Sequence, residues 1–274
     1  MSDGLFGADS VTWRVHGSPA VALVGGLRAL VIQALHPLAM AGVAQHSDYR
    51  ERPLKRLQRT AEFVAVTTYG STAEAERAAA IVRRVHRRVI GVDPITGRPY
   101  SAGDPDTALW IHCVEIHSFM AAHRAYGGAL SPSEQDAYYA ENAVVAELLG
   151  VPPDLIPRDA DAMRAFFAAQ RPGLCVSDAA RDAIDFVASP PLTPELAPYW
   201  LPLRVLARAA IALVPRDLRR LIGLSPTALG DAVCHAQVRA LDAALLLPGA
   251  GLLLTRTLGE RTRSVAVAAR AAPR

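Results

Sequence analysis

The stretch from Ala20 to Val43 constrains this chain more than any other feature. It is almost wholly apolar, yet it carries Arg28, Gln33, His36 and Pro37, with Gly25 and Gly26 near its start. A segment of this kind is buried either in a bilayer or in a protein core. Spanning a bilayer would place Arg28 in lipid, at about 2.5–3.5 kcal/mol on insertion scales. Pro37 interrupts the helix as well. The sequence therefore predicts a buried core helix and no transmembrane span. The later apolar run Ala243–Leu254 is too short to span and is broken by Pro248 and Gly249.

A core helix needs helical neighbours, and the remaining sequence supplies them. Hydrophobic residues make up 51% of the 274 positions but aromatics only 6%. The excess is Ala, Leu and Val, much of it at helical spacing. Proline and glycine divide the chain into about ten helical segments. The main ones are predicted at about Pro19–Leu35, Pro53–Thr68, Thr72–Ile90, Pro105–Tyr126, Pro132–Gly150, Asp159–Ala169, Asp178–Ala188, Tyr199–Leu213, Arg216–Ile222 and Pro226–Leu247. Residues 92–106 are turn chemistry, with room for a short hairpin but not a core strand. The expectation is an all-α fold: one helical domain over residues 1–260, then a basic, Ala-rich tail, 261–274, that frays.

Charge and cysteine usage narrow the function. The formal charge is +3, from 29 basic and 26 acidic residues, which is too balanced for a nucleic-acid partner. Cys113, Cys175 and Cys234 are scattered without CxxC spacing, which fits a reducing compartment. The N-terminus lacks a basic start followed by an apolar run, so a cytoplasmic location is expected. There is no G-x-G-x-x-G motif after a strand and no P-loop.

The local arginine clusters then need another reading. In the segment 78–90, Ala79, Val82, Val89 and Ile90 lie at −7, −4, +3 and +4 from His86, so His86 falls within the predicted buried stripe. Arg83 borders that stripe, and Arg84, Arg87 and Arg88 lie further round. A neutral imidazole facing the interior can ligate a metal or a haem iron, and guanidinium groups beside it can pair with haem propionates. The plainer alternative is a core histidine satisfied by a carbonyl, beside a solvated arginine face.

Other residues stand in a recurring order around this helix. Leu35-His36-Pro37 leads to Gly42-Val43, followed by His46-Ser47-Asp48-Tyr49, Arg56 with Arg59-Thr60, Val82-Arg83 with His86, and Trp110 with His112. Over roughly residues 10–250 this order resembles the haem-b oxygenase family of latex clearing protein and the MpaB-type oxygenases. The resemblance implies haem b as cofactor, with His86 as the proximal iron ligand and Arg83 beside it. It also puts Arg56, Arg59 and Thr60 on the distal side as candidate catalytic residues. Arg87, with Arg83, is a candidate propionate contact. The implied partners are dioxygen and a hydrophobic small molecule, such as an alkene or a prenyl or lipid chain, and a peripheral membrane contact stays open. One position departs from the pattern: latex clearing protein has a lysine immediately before the threonine, and here Arg59 stands there. Arginine is a fixed cation that cannot serve as an amine ligand at ordinary pH. A non-catalytic haem- or lipid-binding helical protein is the alternative function.

Among the other histidines, His112 is a candidate distal group or a substitute haem ligand. His36 at a helix end fits a dipole interaction. Consecutive His46, Ser47 and Asp48 cannot generally converge as a hydrolase triad. Glu115 lies three residues after His112, and the chain lacks the paired Glu-x-x-His array of a di-iron bundle.

Overall fold

The structure is a computed structural model that describes residues 4–245 except 195 and 225–227. The predicted tail 261–274 lies outside the described residues. Twelve α-helices and one two-stranded hairpin make up the described fold. In order they are α1 (Val11–His16), α2 (Pro19–Gln33), α3 (Pro37–His46), α4 (Pro53–Tyr69), α5 (Thr72–His86), β1 (Ile90–Val92), β2 (Pro99–Ser101) and α6 (Pro105–Ala122). There follow α7 (Pro132–Leu148), α8 (Ala160–Gln170), α9 (Asp178–Ala188), α10 (Trp200–Ala212), α11 (Arg216–Leu221) and α12 (Ala228–Leu245).

Helix starts follow local chemistry. Proline opens α2, α3, α4, α6 and α7 at a first-turn position, where its missing N–H removes nothing. Ser71 with Glu74 and Ser131 with Glu134 form reciprocal capping boxes at α5 and α7. His36 does not act on the helix before it, as the sequence reading had it. Its Nδ1 accepts from the Ala39 N–H and so caps the start of α3. A break at 34–36 turns the chain through 105° between α2 and α3.

The centre of the fold is the α2–α6 pair. At Gly25 the two helices approach so closely that a Cβ would stand 3.0 Å from the Phe119 Cα and 3.2 Å from its nitrogen. Around this pair, α9, α10 and α11 close one core cluster, α1, α7 and α8 a second, and α10 with α12 a third. As expected, α2 is a core helix: Ala20, Val21, Val24, Gly25, Arg28, Ala29, Val31 and Ile32 are buried. Among the described residues no single helix is long and apolar enough to cross a membrane.

Arg28 is 1% exposed. Its Nε donates to the Leu213 carbonyl (3.0 Å), and its Nη1 donates to Ser118 Oγ (2.6 Å) and lies 3.3 Å from His117 Nδ1. The cation is therefore stitched to the ends of its neighbours, not left bare. Burial lowers its pKa to about 10.

The hairpin pairs Ile90 with Ser101, Gly91 with Tyr100 and Val92 with Pro99. It is fixed to α3 through the buried Tyr100, whose hydroxyl donates to Gln45 Oε1 (2.8 Å). A Cβ at Gly91 would stand 2.7 Å from that hydroxyl and 2.8 Å from Gln45 Oε1, so a side chain there would displace this hydrogen-bonded pair. This strand is why α5 ends earlier than predicted. The β-branched residues Val89, Ile90 and Val92, with Gly91 among them, leave the helix for a strand, and the helix stops at His86 rather than Ile90.

Candidate functional site

Three helices contribute the site. On α4, Arg56 and Thr60 share a face and are joined: Arg56 Nη1 donates to Thr60 Oγ1 (2.7 Å), and that hydroxyl donates to the Arg56 carbonyl (3.2 Å). Arg59 is exposed and has no ion-pair partner among the described residues. Its charge acts on Arg56 by repulsion.

On α5, Ala75 and Ala79 are fully buried and define the inward face. His86 lies two turns beyond Ala79 on that face, at the last helical residue, and is half-buried. Val89 and Ile90 therefore do not extend its stripe; Ile90 is exposed. A helix C-terminus favours a protonated imidazole. Burial and the Arg56 charge act the other way and lower the His86 pKa. The ring is thus held neutral, the form that ligates iron.

The predicted arginines separate into two groups. Arg83 Nη1 donates to the carbonyl of Leu148, the last residue of α7, so it ties the His86 helix to α7. Arg84, Arg87 and Arg88 are exposed, with no ion pair among the described residues. Arg87 is the residue that caps α5.

On α6, His112 is 3% exposed, and its buried Nε2 has no hydrogen-bond partner among the described residues. Burial lowers its pKa to about 4. One turn on, burial raises the Glu115 carboxyl to about 7, opposed in part by Arg56. Asp48 adds a second negative charge acting on Arg56.

Arg56 is exposed and Glu115 half-buried, yet surrounding protein desolvates both. Arg56 is the common neighbour, acting on His86 across α5 and on Glu115 across α6.

Sequence reasoning missed Glu115 as a site residue. Its signal was present: it stands alone in the middle of α6, whose other charge, Asp106, is in the first turn. It also missed the buried relay in which His16 Nδ1 meets Thr68 Oγ1 (3.1 Å) and Nε2 meets Tyr138 hydroxyl (3.0 Å). Helix α1 is only six residues long, too short for a periodic signal. His46, Ser47 and Asp48 do not assemble. His46 Nε2 faces the Ile90 carbonyl (3.2 Å) and Asp48 pairs with Arg52 (3.8 Å).

Among the described residues no three His, Cys, Asp or Glu side chains group as a metal-ion site. A haem needs less, since its porphyrin supplies four ligands and the protein one axial nitrogen. A neutral His86, an orphaned His112 Nε2 and a cationic rim fit such a group.

Fold and site together define an all-helical domain in which the Arg56 charge on α4 acts on His86 of α5 and on Glu115 of α6. Residues 13–244 match the family described as ER-bound oxygenase mpaB/B′/rubber oxygenase, catalytic domain, and the chain belongs to that family. The structure of latex clearing protein in the closed state superposes with a TM-score of 0.58 at 19% identity, over 94% of this chain and 73% of that one. At that identity the likeness shows the fold alone. Two mycobacterial relatives are uncharacterized protein Rv2237 of Mycobacterium tuberculosis and uncharacterized protein Mb2261 of Mycobacterium bovis. Each is 28% identical over 159 residues, so the match spans 57% of this chain and 59% of theirs.

Proposed function

We propose that this chain is a haem-b-dependent oxygenase that acts on a hydrophobic small molecule, an alkene or a prenyl or lipid chain. The observation that carries this reading is that one cation, Arg56 on α4, acts on a desolvated imidazole on α5 and on a carboxyl raised to about 7 on α6; in this reading the three line a recess for the cofactor. Family membership supports the oxygenase class.

In this reading His86 is the iron ligand, with His112 the alternative donor. Bound there, a haem supplies redox iron for chemistry with dioxygen. The other roles belong to the chain's own residues. Arg83, through the Leu148 carbonyl, holds the ligand helix in place. Arg87 offers propionates a charge-assisted hydrogen bond. Arg56 and Arg59 present fixed positive charge, and Arg56 orients the Thr60 hydroxyl by its hydrogen bond. Glu115, titrating near 7, can take up or release a proton at its carboxyl.

The test is dioxygen uptake by the haem-loaded protein. Uptake should occur with a prenyl lipid and not with its saturated analogue, and Thr60→Ala and Arg56→Ala should slow it. A haem-loaded protein that consumes no dioxygen with any unsaturated lipid would support the non-catalytic binding role instead.

A further inference from the structure

Eleven large hydrophobic side chains are exposed among the described residues, and five of them, Ile81, Val85, Ile90, Val92 and Ile95, fall in one short segment. Each is 55–59% exposed. Exposed aliphatics scattered singly need no explanation, but a cluster of this kind marks a contact surface.

The segment is organised. Ile81 and Val85 are one turn apart on α5, about 120° round the helix from the buried Ala75 and Ala79. They flank the inward face rather than form part of it. Three residues of turn lead from His86 into β1, where Ile90 and Val92 share the outward side. Ile95 sits at the hairpin tip.

The charge is one-sided. Arg77, Arg84, Arg87, Arg88 and Arg98 are exposed and have no ion-pair partner among the described residues. Between Arg77 and Arg98 the sole carboxylate is Asp93, which is 1% exposed and accepts hydrogen bonds from Thr96; exposed carboxylates border the segment at Glu76, Asp104 and Asp106. Elsewhere on the surface, arginines such as Arg14, Arg158 and Arg164 do pair with carboxylates.

We propose that the outer face of α5 and the β1–β2 hairpin form a docking surface for an anionic phospholipid bilayer. Aliphatic side chains enter the headgroup boundary while unpaired guanidinium groups bind phosphates. The charge complementarity selects this occupant: five arginines with no ion-pair partner among the described residues outnumber the exposed carboxylates bordering them, Glu76, Asp104 and Asp106, so a second copy of the same face is repelled. Arg87 is shared with the propionate contact proposed above, so the test rests on Arg77, Arg88, Arg98 and Ile95, which have no part in the haem reading.

The experiment is co-sedimentation of the purified full chain with phosphatidylglycerol-containing vesicles and with pure phosphatidylcholine vesicles. Binding should be confined to the anionic vesicles and weaken as salt rises. At about five-fold per arginine, the combined R77Q, R88Q and R98Q variant should bind about 100-fold more weakly. Ile95→Ser at the tip should weaken binding about ten-fold. All four positions are exposed, so far-UV circular dichroism should be unchanged, which separates lost docking from lost folding. Absence of binding to anionic vesicles would overturn the proposal and point to an acidic protein partner. Equal binding to both vesicle types, or full binding by the triple variant, would also overturn it. So would vesicle-independent self-association abolished by Ile81→Ser, which would assign the face to a second copy.

Discussion

Glu115→Gln isolates the most unusual charge in the recess. The substitution keeps the side-chain shape and removes its titration. In the folded chain the carboxyl titrates near 7, against an ordinary value of 4.5. The folded state therefore binds more protons than the unfolded state between those values. The resulting stability is fully present below pH 4.5 and is lost as pH rises through 7. At 1.36 kcal/mol per pKa unit, integrating this single group from pH 5 to pH 8 gives about 2.5 kcal/mol. Glu115 keeps some contact with water, so about 2 kcal/mol is the figure to look for. Urea titrations followed by circular dichroism at pH 5 and pH 8 measure it. The native protein should lose about 2 kcal/mol more over that interval than the variant does. Parallel pH dependence in the two proteins would refute the reasoning, because it would mean that Glu115 is already ionised at pH 5. A carboxylate that weakens the fold at neutral pH is the kind of stability loss that active sites tolerate.

Two further predictions concern the core that holds the recess. Arg28→Ala removes donors from the Leu213 carbonyl and Ser118 and opens a cavity between α2 and α6; it should cost about 3 kcal/mol or more in urea unfolding, and Arg28→Lys should not restore the forked geometry. Gly25→Ala sets a methyl group against the Phe119 backbone at 3.0 Å and should destabilise by about 1–3 kcal/mol, read as a lowered thermal midpoint, because backbone cannot give way as a flexible side chain can.

Helix periodicity and punctuation carried most of the fold. The Ala20–Val43 stretch announced a core helix, and the helix starts expected at Thr72 and Pro132 stand where α5 and α7 begin. The errors arose where tertiary contacts decide. Helix α5 ended at His86 because the chain beyond it pairs into the hairpin, where Gly91 stands opposite Tyr100, a partner nine residues away. His36 became an N-cap because the chain turns at 34–36, which periodicity does not report.

The site was legible in part. Spacing put Arg56 and Thr60 on one face, and the structure joins them by a hydrogen bond. It did not reveal that Arg83 would be occupied by the end of α7, nor that Glu115 would meet the Arg56 charge across two helices. Long-range desolvation and pairing of this kind leave no periodic trace in a single sequence.

The central claim is that the recess holds haem through His86. The most direct measurement is the absorption spectrum of the purified protein beside those of His86→Ala and His112→Ala, each with haem supplied. The account predicts a Soret band in the native protein that is lost or strongly shifted in His86→Ala and retained in His112→Ala. A band that survives in His86→Ala and vanishes in His112→Ala would contradict the assignment, and no band in the native protein would contradict the haem itself.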